Sequence, residues 1–352
     1  MMWSDVKQLT GNASNNGNKR NHYYDGIRAI GILLVISGHT LGISKSFDLY
    51  IYSFHMPLFF FLSGLMLNLT RLRWGLLATL QHYSFRLLVP YFLFSLITWV
   101  PWVLFTRHLG ADVALNIPAW KPLIGTFYGV GIDGWLQHNA MLWFFPCLFL
   151  VHILFHQLWC YFRGRWLFSL VLACAALGYL LSSKLPFRAP WGAEATLLAM
   201  PFYALGYYIS GEQPKLGQHK FRIAFCILAL ALLQYVLIST NGRVDMNFLS
   251  LNNPFLFYFG AFAGIGVLTG AVYFLPKHPL IERVADGSML AFCMHRTLFS
   301  LFTGVGLLLT ADMQAFKSSA TGSIVYTLGS VGVSIILLPL VRRFLPVLLG
   351  GR

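Results

Sequence analysis

The stretch DGIRAIGILLVISGHT, residues 25–40, decides how the chain folds. After Asp25 it is an apolar run that carries two ionisable side chains, Arg28 and His39. Roughly 20 apolar residues cross the ~30 Å hydrocarbon core of a bilayer as a helix. About ten runs of this kind follow one another, near 26–44, 51–69, 85–105, 140–160, 166–183, 195–211, 221–239, 254–275, 288–309 and 323–345. Lipid offers the backbone no hydrogen-bond partner, so each run predicts an α-helix. A β-barrel would instead show alternating segments of about ten residues. The expected fold is all-α, a polytopic membrane helix bundle of about ten transmembrane helices.

Composition agrees. The 352 residues are 57% hydrophobic, 16% aromatic and 10% charged, with mean hydropathy +0.66. A soluble domain carries about 25% charged residues, and a disordered chain is poor in aromatics. The net charge of +14 does not indicate nucleic acid, because the 25 Lys and Arg are scattered between apolar runs rather than gathered on one face. Placing the N-terminus inside puts 16 of them in cytoplasmic connections, among them Arg20, Arg71, Arg86, Arg222 and Arg342. Only 7 then fall outside: Lys45, Arg107, Lys121, Lys184, Arg188, Arg243 and Lys317. The positive-inside rule therefore predicts cytoplasmic N- and C-termini. Residues 1–24, with the low-complexity GNASNNGNKR, are expected as a flexible cytoplasmic tail. Residues 25–346 are expected as the membrane domain and 347–352 as a short cytoplasmic tail. The first apolar run is too broken by Arg28 and His39 for a cleaved signal peptide. The five cysteines show no CxxC pair and read as small membrane hydrophobes. The long connection 106–139, with YGVGIDGW, is either a binding lid or a tolerated insertion.

Ionisable residues inside spans are costly and usually functional. Arg28 and His39 are eleven residues apart, about 1100° of helical rotation and so about 20° from three full turns. Both would face the same side, about 16 Å apart along the axis. The bland alternative is that Arg28 snorkels to the interface and His39 bonds a neighbouring helix. His55 in SFHMPLFFFLSGLML lies at the level of His39, and Arg86 in RLLVPYFLFS at the level of Arg28. Two guanidinium groups there would suit an anionic ligand with phosphates, and positive-inside charge explains Arg86 equally well. His295 and Arg296 in DGSMLAFCMHRTLF sit within the ninth run, where Arg296 must face the interior or a watery cavity. His152, His156 and Cys160 share one helical face, but no carboxylate joins them, so no metal is expected. Glu194, in FRAPWGAEA, reads as a loop residue. Histidine at depth with arginine towards the cytoplasm suits acyl transfer from a cytosolic acyl-CoA to a hydroxyl. The near absence of carboxylates in the spans weighs against a proton-coupled transporter.

These motifs resemble the acyltransferase-3 family of integral membrane acyltransferases, and within it the fucose 4-O-acetylase-like branch. The likeness begins with YYDGIRA and the Arg28–His39 spacing, and continues through FHMPLFFFLSG and RLLVPYFLFS. It extends through MLWFFPCLF at 141–149, PFYALGYYI at 201–209 and DGSMLAFCMH at 286–295, which lacks the family's Lys-Asn before its Ser. The resemblance implies O-acylation, usually O-acetylation, of a glycan outside the bacterial plasma or inner membrane, with acetyl-CoA as donor. It implies Arg28 and His39 as the essential pair and matches Arg86, His55 and His295 to family motif positions. Together with the residues at depth this leads to the expectation that Arg28 and Arg86 hold the donor and that His55, His295 and Arg296 contact the acceptor. Two readings of other classes stand beside it: a transporter or flippase for a lipid-linked sugar or oligosaccharide, and a non-catalytic membrane scaffold.

Overall fold

The computed structural model describes residues 20–109, 111–210, 220–309 and 312–351. Of the tail expected at 1–24, residues 1–19 lie outside the described residues, as do Lys215 and Arg352 of the cytoplasmic tally. The described chain is helical throughout, with one isolated bridge pairing Asp245 and Ser250. Every apolar run contains a helix. These are α1 (His22–Gly38), α2 (Lys45–Leu65), α3 (Leu76–Tyr83), α4 (Val89–Leu104), α5 (Phe144–Tyr161) and α6 (Gly164–Lys184). Then come α7 (Ala193–Ile209), α8 (Lys220–Asn241), α9 (Pro254–Tyr273), α10 (Pro279–Leu309) and α11 (Ala320–Phe344). A π-helical turn, Ser84–Leu88, joins α3 to α4 without a break.

Local sequence sets the helix starts. The Asn21 side chain accepts from the amides of Tyr23 and Tyr24, Ser44 caps α2 through Phe47, and Asn253 precedes Pro254 at the first position of α9. Each satisfies amides that a helix start leaves without intrahelical acceptors.

Among the described residues, 7 helices are long and apolar enough to cross a membrane, against the ten expected. The three that fall short are α1, α2 and α7, and their position explains why. α1 and α7 are 17 residues each, and α2 begins with Lys45 and Asp48. All three have more than half their residues buried against other helices. A helix enclosed by helices does not need the composition that lipid demands. The opposite case is α8, where Phe221, Phe225, Leu228, Leu232 and Val236 are exposed, the surface expected of a helix facing acyl chains.

The two ends of the bundle differ. At one end Arg20 bridges Asp25 (2.6 Å) and Asp286 (3.0 Å), and Arg342 also reaches Asp286 (3.1 Å). Burial works against the Arg20 charge, but hydrogen bonds and attraction from Asp25 and Asp286 outweigh it and raise its pKa. At the other end Arg243 pairs with Asp48 (2.9 Å) and Asp245 (3.5 Å). The connection 106–139 folds back on α4. Trp99 donates to the Ala119 carbonyl (3.0 Å), Trp102 to Asp112 (3.0 Å) and Tyr91 to the Thr126 carbonyl (2.6 Å). The last residues are also packed: Pro346–Leu349 forms a 3-10 turn, with Leu348 buried.

α2 and α7 cross closely, with two glycines facing opposite backbones. A Cβ at Gly64 would overlap the Tyr203 carbonyl oxygen, and one at Gly206 would overlap that of Phe61. Small residues let helices approach closely where apolar transfer supplies no driving force. Gly206→Ala should therefore destabilise the protein by about 1–3 kcal/mol through overpacking. Gly332→Ala on α11, with nothing within 4 Å, should not lower the thermal midpoint. Melting curves of both variants in one detergent check the contrast.

Candidate active site

The site is built where α1 ends. α1 stops at Gly38, so His39 caps it rather than lying inside a span, and its amide donates to the Ile36 carbonyl (3.1 Å). α2 brings His55 and α10 brings His295 to the same place. The rings of His39 and His295 stack with centroids 5.3 Å apart and planes 19° apart. His55 lies edge-on to His39 at 6.5 Å. His55 and His295 are buried, while His39 is half-buried and therefore reachable.

Hydrogen bonds fix the proton on two of these rings. His55 Nδ1 lies 2.9 Å from the Ile51 carbonyl oxygen, and His295 Nδ1 lies 2.8 Å from that of Phe292. A carbonyl only accepts, so Nδ1 carries the hydrogen and the lone pair of each neutral imidazole is on Nε2. The His295 Nε2 is buried without a partner, an uncommon state that calls for a ligand or a role. His39 is different, because its Nδ1 lies 3.3 Å from the Tyr52 hydroxyl, which can donate or accept. The Arg243 guanidinium lies 3.6 Å from the centre of the Tyr52 ring. Burial opposes the Arg243 charge, but Tyr52, Asp48 and Asp245 raise its pKa, so it is a permanent cation beside that phenol.

The arginines lie elsewhere. Arg28 and Arg86 line a cavity of about 540 Å³ together with Asp286, Arg342 and the chain's last turn. Arg86 projects from the π turn, and Arg28 is half-buried with one nitrogen 3.1 Å from the Met66 sulfur. The inner end of this cavity is Ile32, Phe59, Phe144 and Phe292. Phe292 precedes His295 by three residues and Phe59 follows His55 by four, so about one helical turn of 5.4 Å separates cavity from imidazoles. The rings of Phe144 and Phe292 are 5.7 Å apart, and those of Phe59 and Phe144 are 6.3 Å apart. Arginine cavity, aromatic partition and histidine cluster thus follow one another along α1.

Four other residues sort differently. Arg296 is exposed on a different face of α10 from His295 and lines a separate small cavity. His152 Nδ1 lies 2.8 Å from the Tyr203 hydroxyl and its ring stacks on Tyr83 (3.9 Å), and His156 Nε2 meets the Trp74 carbonyl (3.1 Å). Those imidazoles are structural polar contacts in the half of the bundle away from His39. Glu194, expected as a loop residue, is buried in the first turn of α7. It accepts from the Ala189 amide (2.7 Å) and pairs with Arg188 (3.7 Å), so a carboxylate can be buried there. Tyr52 and Arg243 were missed from sequence. Tyr52 sits three residues before His55, one turn away, but Arg243 comes from a distant connection and carries no local signal.

A family model described as an acyltransferase domain, of the acyltransferase-3 type, matches residues 21–339. None of the curated proteins and none of the solved structures compared with the chain matches it.

The tautomers are open to a direct check. Nitrogen-15 spectra of histidine-labelled protein in micelles should show His55 and His295 with hydrogen on Nδ1, both in the wild type and in Tyr52→Phe. Only the His39 signals should move when the Tyr52 hydroxyl is removed. Movement of all three would contradict the separate anchoring of the rings.

Proposed function

The chain belongs to the acyltransferase-3 family of membrane acyltransferases, and from that premise we propose that it moves an acetyl group from cytosolic acetyl-CoA to a hydroxyl of an extracytoplasmic or lipid-linked glycan. On this reading it is a multi-pass protein of the bacterial inner membrane with about ten crossings and both termini cytoplasmic. The excess of basic residues in the connections placed inside supports that orientation. The sugar-hydroxyl acceptor follows the fucose 4-O-acetylase-like branch that the sequence resembles.

One observation carries the proposal: a cationic cavity and a cluster of imidazoles on one axis, separated by a single layer of aromatic rings. Guanidinium groups match phosphate oxygens bidentately, so Arg28 and Arg86 hold the phosphates of the donor. The pantetheine arm then extends inward past Phe59 and Phe292 and delivers the thioester carbonyl to the histidines. His39, the reachable ring, takes the proton of the acceptor hydroxyl. The freed oxygen forms a bond to the carbonyl carbon. The tetrahedral intermediate collapses, the carbon–sulfur bond breaks, and the departing thiolate recovers the proton from His39. The products are an ester and free CoA thiol. Tyr52, through its hydroxyl at Nδ1, positions the His39 ring, and the Nε2 lone pairs of His55 and His295 are left to accept from other hydroxyls of the acceptor sugar.

His39→Ala should abolish ester formation in membranes while leaving the amount of protein unchanged. Mass spectra of the surface glycan, with and without the protein, read the acetyl groups, and wild-type product from the variant would overturn the mechanism. Arg28→Ala and Arg86→Ala should each raise the KM for acetyl-CoA about tenfold to hundredfold, the loss expected for a charge-assisted hydrogen bond. Unchanged donor dependence would remove them from the site.

A further inference from the structure

Outside the histidine cluster, the described residues contain a second concentration of buried polar groups that lack partners. His138 is 3% exposed, and neither of its ring nitrogens has a hydrogen bond. Its neighbour Asn139 is fully buried. The Asn139 amide nitrogen donates to the Cys293 carbonyl (2.7 Å), but its oxygen has no partner. That bond pins the 138–139 segment to α10 two residues before His295, whose own Nε2 is unpartnered. Unsatisfied polar atoms are costly and rare in native interiors, so an imidazole with both nitrogens in this state needs an explanation.

A cavity supplies it. His138 lines a pocket of about 30 Å³ between α4 and α10, with Trp102, Asp112 and Arg296 around it. Thirty cubic ångströms accommodates one or two water-sized groups, the scale of a hydroxyl or hydroxymethyl arm rather than of a ring. Asp112 also lines a wider pocket of about 180 Å³ with Arg107, His108 and Asn116. The two cavities therefore share one wall, a broad basin beside a narrow recess. Asp112 is held in place by Trp102 (3.0 Å) and by Gln137 (2.7 Å). Arg296, halfway along a membrane helix, makes no ion pair among the described residues.

The chemistry of this wall is specific. A neutral imidazole with both nitrogens free offers one donor and one acceptor, a guanidinium offers only donors, and a carboxylate offers only acceptors. A ligand that satisfies all three must present groups that donate and accept in turn, and vicinal hydroxyls on a sugar ring do so. The geometry points to this cleft as the binding site of the acceptor sugar, its ring in the basin between Asp112 and Arg107 and one hydroxyl arm in the recess against His138 and Arg296. Asn139, next in sequence to His138, bonds the Cys293 carbonyl (2.7 Å) two residues before His295, whose ring stacks on His39. The assignment rests on the acyl-transfer reading only for the word acceptor, because the cleft would bind the same polyhydroxylated ligand in a protein of another activity.

Both halves can be tested on the full chain in detergent, with de-O-acylated surface polysaccharide of the source organism as the probe. In a radiolabelled acetyl-CoA assay, Arg296→Gln and His138→Asn should each raise the KM for polysaccharide about tenfold, as expected for one lost hydrogen bond to a charged or buried group. The KM for acetyl-CoA should remain unchanged, which a general loss of structure would not allow. Arg296 is exposed, so Arg296→Gln is expected to fold even if the His138 variant does not. A polysaccharide KM within twofold of wild type in Arg296→Gln overturns the site. Should the wild type transfer nothing, tryptophan fluorescence titrated with the same polysaccharide takes over. Binding that weakens about tenfold in Arg296→Gln keeps the site and rejects the acyl-transfer reading, whereas absence of binding in the wild type rejects the site as well.

Discussion

Everything in this bundle depends on the absence of water as a hydrogen-bonding partner. In lipid or among packed helices, each polar group must be satisfied by the protein itself. For the backbone this requirement yields helices. For the imidazoles it yields a choice of nitrogen. His55 and His295 each give a hydrogen to a carbonyl of their own helix, one turn back, and so turn the opposite nitrogen towards the cluster. No carboxylate is needed to orient them, which is consistent with spans that contain almost none. The helix itself acts as the orienting partner that a soluble hydrolase supplies with an aspartate.

The same constraint explains what could be read from sequence. The helices were legible because their apolar runs are set by the solvent, and Arg28 and His39 stood out because ionisable residues are conspicuous in such runs. Their eleven-residue spacing already implied a common face. The shortfall from ten to 7 helices of spanning length arises where lipid no longer dictates composition: α1, α2 and α7 are enclosed, and enclosed helices are free to be short or polar. Glu194 was misread for a related reason, since its partner Arg188 precedes it in what looks like a polar loop. Tyr52, Arg243, His138 and Asn139 owe their positions to long-range packing. A ring stacked at 3.6 Å under a guanidinium from a distant connection has no periodicity to betray it.

Arg296 shows how finely side-chain direction divides a helix. His295 precedes it by one residue, yet one faces the imidazole cluster and the other an outer cleft, because successive positions differ by about 100°. A single turn of α10 thus serves two environments. The π turn that presents Arg86 is a second local departure from regular geometry, and such bulges are commonly found at functional sites.

The layer formed by Phe59, Phe144 and Phe292 has a consequence for the cell as well as for the reaction. On the proposed reading, the cavity beneath it opens to the cytoplasm and the histidines above it meet a ligand from outside. A continuous column of water between the two would let protons flow down the membrane potential, and the imidazoles would serve as carriers. Three apolar rings hold no water and relay no proton. On that reading, an enzyme that carries an acyl group through the membrane would work in an energised bilayer without discharging it.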